Sequence, residues 1–186
     1  MIIEIGTSDF RTEAGVANGL YVEPVKPYFD RLPPCLKENV AISNYTGETY
    51  VYYLEPSVIE ELKLPNWARG CNSIGKPHPT IEKLLLNKFG EEGKKYITKS
   101  VVKVMRIKDL LAKHKIKKIT CLKIDTEGHD AVILNDFLDT VSIKPNKIIF
   151  EANELSKQRD INNVVAKLKR AGYKTTKKRT DIIAVL

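Results

Sequence analysis

Short apolar runs typical of β-strands alternate along this chain with patterns that repeat at the helical period. Residues 2–6, 119–124 and Lys147–Glu151 are such runs, whereas Ile107 and Leu110 begin a stripe that recurs at helical spacing. Successive parallel strands need a long crossover, usually a helix, between them. The alternation therefore predicts an α/β fold with a mostly parallel sheet and helices on both faces.

The length allows one domain over residues 1–186, since 186 residues build one core and are too few for two ordinary domains. Residues 39–43 and 49–54 flank a turn-like stretch and predict two strands of a hairpin or meander. Prolines and glycines interrupt residues 55–100, leaving one helical piece at 80–89. This stretch is predicted to be an irregular insertion that covers a site.

Charge is distributed unevenly between the two halves of the chain. Residues 1–90 hold 9 basic and 11 acidic side chains, whereas residues 91–186 hold 22 and 12. The positive excess fits an anionic partner or a lysine-rich solvated surface. The basic runs 113–118 and 174–179 contain no aromatic residue for base stacking, so a nucleic-acid partner is not expected.

Cysteine content and hydropathy exclude several protein classes. The three cysteines form no Cys-x-x-Cys pair, which argues against a disulfide scaffold or a zinc cluster. No apolar run approaches the roughly 20 residues of a membrane span, and no secretory leader is visible. We therefore expect no membrane span and a cytoplasmic location.

Polar residues mark the predicted carboxyl ends of the strands, where ligands bind in open parallel sheets. The first run ends at Gly6, the second at Glu23, and two later runs at Asp125 and Glu151. A glycine lets a ligand approach the backbone, and an acid 17 residues later matches a ribose-binding position. By spacing alone, a nucleotide site and a turn glycine followed by a surface glutamate remain equally open.

Five segments in order resemble one family. They are residues 3–10, 21–24 and 39–43, the motif Leu-Lys-Ile-Asp-Thr-Glu-Gly at 122–128, and Ile-Phe-Glu at 149–151. Together they resemble the FkbM family of S-adenosylmethionine-dependent methyltransferases. The resemblance implies a Rossmann-like class I methyltransferase sheet that ends in an antiparallel strand pair. Phe10 replaces a glycine usual in the family, and Glu4 replaces an aspartate.

The resemblance also implies which residues form the site. Those expected around the cofactor, from its methionine end to its ribose and adenine, are Glu4, Gly6, Thr7, Ser8, Glu23, Ala41, Ile42, Ser43 and Ser73. Those expected at the reaction centre are Lys123, Asp125, Glu127 and Glu151.

Methyl transfer to an alcohol needs a group that accepts the hydroxyl proton. Asp125 is the first candidate, and His129 competes because an imidazole titrates near neutral pH. A divalent metal, magnesium or manganese, is a further alternative, with oxygen ligands from Asp125, Glu151 and Asn153.

These expectations lead to an O-methyltransferase that uses S-adenosylmethionine and methylates a hydroxyl of a sugar or glycan. The chain is then expected to serve as a domain of a larger glycan-processing protein. Two alternatives stay open. One is a nucleic-acid (RNA) methyltransferase, suggested by the basic second half, and the other is a non-catalytic nucleotide-binding domain, suggested by Phe10.

Overall fold

The computed structural model describes residues 1–8 and 19–186, so Phe10 lies outside the described residues. The strands in this part are β1 (Ile2–Ile5), β2 (Gly19–Val22), β3 (Leu36–Glu38), β4 (Ala41–Ser43), β5 (Gly47–Leu54), β6 (Ser73–Ile74), β7 (Ile97–Arg106), β8 (Cys121–Ile124), β9 (Lys147–Glu151), β10 (Lys174–Lys178) and β11 (Asp181–Val185). The helices are α1 (Lys26–Arg31), α2 (Pro56–Glu61), α3 (Pro79–Phe89), α4 (Ile107–Lys113), α5 (Asp130–Thr140) and α6 (Gln158–Arg170), with 3₁₀ turns at Asn66–Arg69 and Gly90–Tyr96.

The larger of two sheets has the strand order β10-β11-β9-β8-β1-β2-β3. Its strands from β9 to β3 run parallel, whereas β11 runs antiparallel to both of its neighbours. The predicted antiparallel pair at the end of the chain is therefore present. Because β1, β2 and β8 are neighbours, their carboxyl ends meet at one edge of the sheet.

The smaller sheet has the order β4-β7-β5-β6 and differs from the predicted hairpin or meander of β4 and β5. Ala41 and Gly47 both lie opposite Val104, so β4 and β5 pair with the two edges of β7 instead of with each other. With ten residues, β7 is long enough to pair with all eight residues of β5 along one edge and with β4 along the other.

The stretch at 55–100 is more regular than the sequence indicates, since it contains α2, α3 and β6. A small core made by its own residues explains this order. Ile59, Ala68, Ile81 and Leu85 are buried together there, and Leu54 at the end of β5 packs with them.

The main core lies between the larger sheet and three helices. Ile3, Ile5 and Leu122 belong to the strand residues that pack with α4, α5 and α6 on one face of the sheet. Side chains alternate along a strand, so Lys123 and Ile149 lie on the opposite face. The sequence predicts helices on both faces of the sheet. Among the described residues, however, the three helices of the main core all lie on one face. No helix in the described ranges is both long and apolar enough to cross a membrane.

Gly6 allows β1 and β8 to end in close contact. Its φ is +81°, and its backbone N–H donates to the Val22 carbonyl at 2.9 Å. The N–H of Asp125 in turn donates to the Ile5 carbonyl at 2.9 Å. A Cβ on Gly6 would lie 1.8 Å from the Asp125 carbonyl oxygen, so only glycine fits between the two strand ends.

We predict that Gly6→Ala is far more destabilising than Gly75→Ala. Gly75 has the same φ of +81° and no atom within 4 Å of an added Cβ, so its substitution carries only the backbone cost of about 1–2 kcal/mol. Gly6→Ala adds a backbone clash, which we expect to cost at least about 2 kcal/mol more. Chemical denaturation measures both variants, and equal losses of unfolding free energy would contradict the close contact.

Candidate functional site

A pocket opens at the carboxyl ends of β1, β2 and β8, and residues of the smaller sheet form its far wall. The volume of the pocket, including the solvent at its open mouth, is about 510 Å³. The far wall is apolar and consists of Val40, Ala41, Ile42, Val51 and Ile74. The polar lining on the near side consists of Ser8, Glu23, Asp125, Thr126 and His129.

The Glu23 carboxylate is buried at the end of β2 and fastens the loop after β1. Its Oε2 accepts a hydrogen bond from the Ser8 N–H at 2.5 Å, and its Oε1 accepts one from the Val25 N–H at 2.9 Å. The Ser8 hydroxyl donates to the Arg69 carbonyl at 2.9 Å. The pocket wall thus joins β1, β2 and the segment between β5 and β6.

His129 lies at the start of α5, with its Nε2 2.9 Å from the Ser43 hydroxyl at the end of β4. Burial lowers the pKa of its imidazole, so the ring is neutral at pH 7. The pair joins α5 to the smaller sheet.

Asp125, Glu127 and Glu151 bring carboxylate oxygens within 4.8 Å of one another. Burial, with a smaller contribution from the nearby Glu127, raises the pKa of Asp125 to about 6, although the Lys123 ammonium opposes the rise. Burial and repulsion from Glu127 and Asp125 raise the pKa of Glu151 to about 8. At neutral pH Asp125 is therefore mostly ionised and Glu151 mostly protonated.

Asp130 holds the two loops that carry these carboxylates. It is fully buried, and its Oδ2 accepts hydrogen bonds from the Thr126 N–H at 3.1 Å and from the Thr126 hydroxyl at 2.7 Å. Its Oδ1 accepts one from the Glu151 N–H at 2.9 Å. Burial raises its pKa to about 7, although the Thr126 hydroxyl opposes the shift.

His78 reaches the site from the segment before α3. Its Nδ1 accepts a hydrogen bond from the Thr80 N–H at 3.2 Å, so the ring proton of the neutral form is on Nε2. That nitrogen lies 3.1 Å from the Glu127 Oε2 and donates to it. Sequence reasoning missed this contact, and the only signal was a histidine directly before a proline that begins a helix.

The profile of the methyltransferase FkbM domain matches residues 6–175. The chain belongs to the FkbM methyltransferase family. Searches of curated proteins and of solved structures gave no match. Membership confirms the resemblance drawn from the sequence motifs, and it supports a methyltransferase activity and an α/β methyltransferase fold.

Among the described residues of the FkbM domain, two groups of side chains have metal-ligand chemistry, and they share Glu127. In the first, Asp125, Glu127 and Glu151 supply oxygen atoms suited to a hard divalent cation. Asn153, predicted as a ligand, instead accepts a hydrogen bond from the Leu155 N–H at 2.9 Å and bonds to Glu151.

The second group consists of Cys71, His78 and Glu127, of which His78 and Glu127 are hydrogen-bonded to each other. Burial and then repulsion from Glu127 raise the pKa of the Cys71 thiol to about 12, which keeps it protonated. His78 carries its proton on the nitrogen that faces the group.

The FkbM domain gathers most of the predicted site residues, but not all. Gly6, Ser8, Glu23, Ala41, Ile42, Asp125 and His129 line the pocket. Ser43 lies behind His129, and Thr7 is buried with its hydroxyl 3.5 Å from the Ser8 carbonyl. Glu4 pairs with Lys123 at 2.9 Å, and the Ser73 hydroxyl donates to the Lys76 carbonyl at 2.7 Å. Neither Glu4 nor Ser73 is among the pocket-lining residues of the described chain.

We predict that Glu151→Gln stabilises the protein increasingly as pH rises from 4.5 to 8. The folded-state pKa of about 8 lies above the ordinary value of 4.5. The unfolded chain therefore releases this proton first, and the wild type loses stability across that interval. Urea unfolding at several pH values measures the difference between variant and wild type.

Glu154→Gln is the matched control, because Glu154 is exposed three residues away. It should leave the pH dependence unchanged. A Glu151→Gln curve parallel to that of the wild type would contradict the charge repulsion described for the carboxylates.

Proposed function

We propose that this protein is an S-adenosylmethionine-dependent O-methyltransferase that acts on a hydroxyl group of a sugar or glycan. The observation that carries the proposal is a single pocket lined by Glu23 at one strand end and Asp125 at another, opposite an apolar wall. Family membership supports methyl transfer. The order of the larger sheet, with β1 between β2 and β8, supports the Rossmann-like class I arrangement.

The pocket residues fit the cofactor by their chemistry. Val40, Ile42 and Ile74 offer an apolar surface for the adenine ring, and the Glu23 carboxylate accepts hydrogen bonds from ribose hydroxyls. Gly6 and Ser8 lie at the loop that the methionine end would approach. When bound, S-adenosylmethionine supplies an electrophilic methyl group on its sulfonium sulfur.

Asp125 accepts the proton of the acceptor hydroxyl in this proposal. Its pKa of about 6 makes it a stronger base than an ordinary aspartate while leaving it ionised at neutral pH. Glu151, with a pKa of about 8, keeps its proton and cannot take that role. His129 is bonded to Ser43 and helps to form the pocket wall. A neutral amine can attack a methyl group before it loses a proton, whereas a hydroxyl needs a base to take its proton. The placement of Asp125 therefore favours a hydroxyl acceptor.

A divalent metal held by Asp125, Glu127 and Glu151 is the alternative way to lower the pKa of the acceptor hydroxyl. Treatment with a chelator distinguishes the two routes. Full activity after exhaustive chelation supports the metal-free route, and loss that magnesium or manganese restores supports the metal.

We predict that Glu23→Ala weakens the binding of S-adenosylhomocysteine at least about tenfold, the effect of losing a charge-assisted hydrogen bond. Glu23→Gln keeps the shape and one acceptor oxygen, so its loss should be smaller. Isothermal titration calorimetry measures both, with Glu61→Ala as the control because Glu61 is exposed. Absence of binding by the wild type would overturn the proposal.

We predict that Asp125→Asn lowers kcat by about 10²–10⁴-fold, the usual contribution of a general base, and leaves S-adenosylhomocysteine binding nearly unchanged. In the wild type, kcat should fall as the pH drops through about 6, because the base becomes protonated. The assay measures the release of S-adenosylhomocysteine with whichever monosaccharide of a panel reacts fastest. Asp30→Asn is the control because Asp30 is exposed. An undiminished kcat would remove Asp125 from proton transfer.

A further inference from the structure

A second concavity adjoins the pocket on the sheet face opposite α4, α5 and α6. This groove runs from the carboxyl edge of the larger sheet down across β8, β9 and β11. Its space, open mouth included, is about 1180 Å³. Nothing in the proposed cofactor site uses its basic lining.

Asp125 belongs to both cavities. It closes one end of the pocket and also lines the groove, so a molecule in the groove reaches this carboxylate from the side away from Glu23. A group transferred within the pocket and a hydroxyl presented from the groove would therefore meet near the same side chain.

The groove is lined by cations without a balancing set of acids. Lys147, Lys178 and Arg179 line it and form no ion pair with any described residue. Lys123, which also lines it, is engaged with Glu4. Two acids, Asp125 and Asp181, also line the groove, so its basic residues outnumber its acidic ones.

Two of the cations stand at the same edge of the sheet as the reaction centre. Lys178 ends β10 and lies opposite Asp181 in the backbone register of β11, and Asp181 in turn lies opposite Glu151 on β9. Arg179 follows in the tight turn to β11, with a φ of +56°. A guanidinium and an ammonium placed together can bind two oxygens of one phosphate or carboxylate.

We propose that this groove binds an anionic group of the acceptor, so that the substrate is a saccharide carrying a phosphate or a carboxylate. The inference rests on the proposed function, since it gives the groove the role of presenting the acceptor to Asp125. Lys178 and Arg179 hold the anion, and Lys147 extends the positive field along the groove floor.

The lining favours a small anionic saccharide over RNA. None of the described residues of the groove is aromatic, so it lacks the stacking surface on which single-stranded nucleic acids bind. Asp125 and Asp181 would also repel successive phosphates of a polynucleotide, whereas a single anionic group can stay beside the cations.

The test compares glucose 6-phosphate, glucuronate and glucose in NMR titrations of the full chain, with and without S-adenosylhomocysteine. We expect at least one of the charged sugars to bind more tightly than glucose. The double variant Lys178→Gln/Arg179→Gln should weaken that binding about tenfold, as expected for one charge-assisted hydrogen bond. Both residues are exposed, which makes the substitutions compatible with the fold. Lys147→Gln should weaken it less.

The matched control is Lys117→Gln/Lys118→Gln, which removes two exposed charges before the amino end of β8. It should leave the binding of the charged sugar unchanged. Equal binding of all three sugars, or equal weakening by both double variants, would overturn the inference. Displacement of the sugar by a decauridylate that binds more tightly would overturn it in favour of RNA.

The outcome separates this inference from the proposed function. If S-adenosylhomocysteine binds and no charged sugar does, the groove assignment fails and the methyltransferase proposal stands. If a charged sugar binds through Lys178 and Arg179 and S-adenosylhomocysteine does not bind, the groove is an anion site and the proposed function fails.

Discussion

The site depends on one buried carboxylate that joins two strand ends. Asp130 receives three hydrogen bonds, two from Thr126 and one from the Glu151 N–H. These bonds fix the loop after β8 against the end of β9, and they bring Asp125 and Glu151 to one point. Burial raises the pKa of Asp130 to about 7, whereas the hydrogen bonds from Thr126 and from the Glu151 N–H oppose that rise and favour the ionised carboxylate.

A second constraint comes from the segment between β5 and β7, which reaches the site at two places. The Arg69 carbonyl accepts from Ser8 beside Glu23, and His78 donates to Glu127. The first contact supports the pocket wall, and the second orients Glu127, which lies beside Asp125 and Glu151. The segment that was predicted to cover a site therefore also supplies contacts within the candidate site. It has a small apolar core of its own.

The sequence allowed much of the framework to be predicted. Apolar runs predicted β1, β2, β8, β9 and β11 of the larger sheet but not β3, and the glycine and acids that follow the runs indicated Gly6, Glu23 and Asp125. The strand predictions succeed because the alternation of apolar residues is a local property of the chain, and the structure places the three residues together in the lining of one pocket. The motif at 122–128 and the four other matching segments indicated the FkbM family, and the domain profile confirms that family.

What escaped prediction depends on contacts between distant segments. The His78 to Glu127 bond spans 49 residues, and no periodicity encodes which histidine faces which acid. Local turn signals suggested a hairpin for β4 and β5, whereas the long edge of β7 decided their pairing. Glu4 and Lys123 occupy matching register positions on adjacent strands, so they pair with each other although their motifs suggested two separate roles.

We propose that the pocket between Glu23 and Asp125 holds the cofactor, and a crystal structure with bound S-adenosylhomocysteine is the decisive measurement. We expect the ribose hydroxyls to lie on the Glu23 carboxylate, the adenine to lie against Val40 and Ile74, and the sulfur to point toward Asp125. A ligand bound elsewhere, or bound here with its sulfur directed away from Asp125, would show that this assignment of the pocket is wrong.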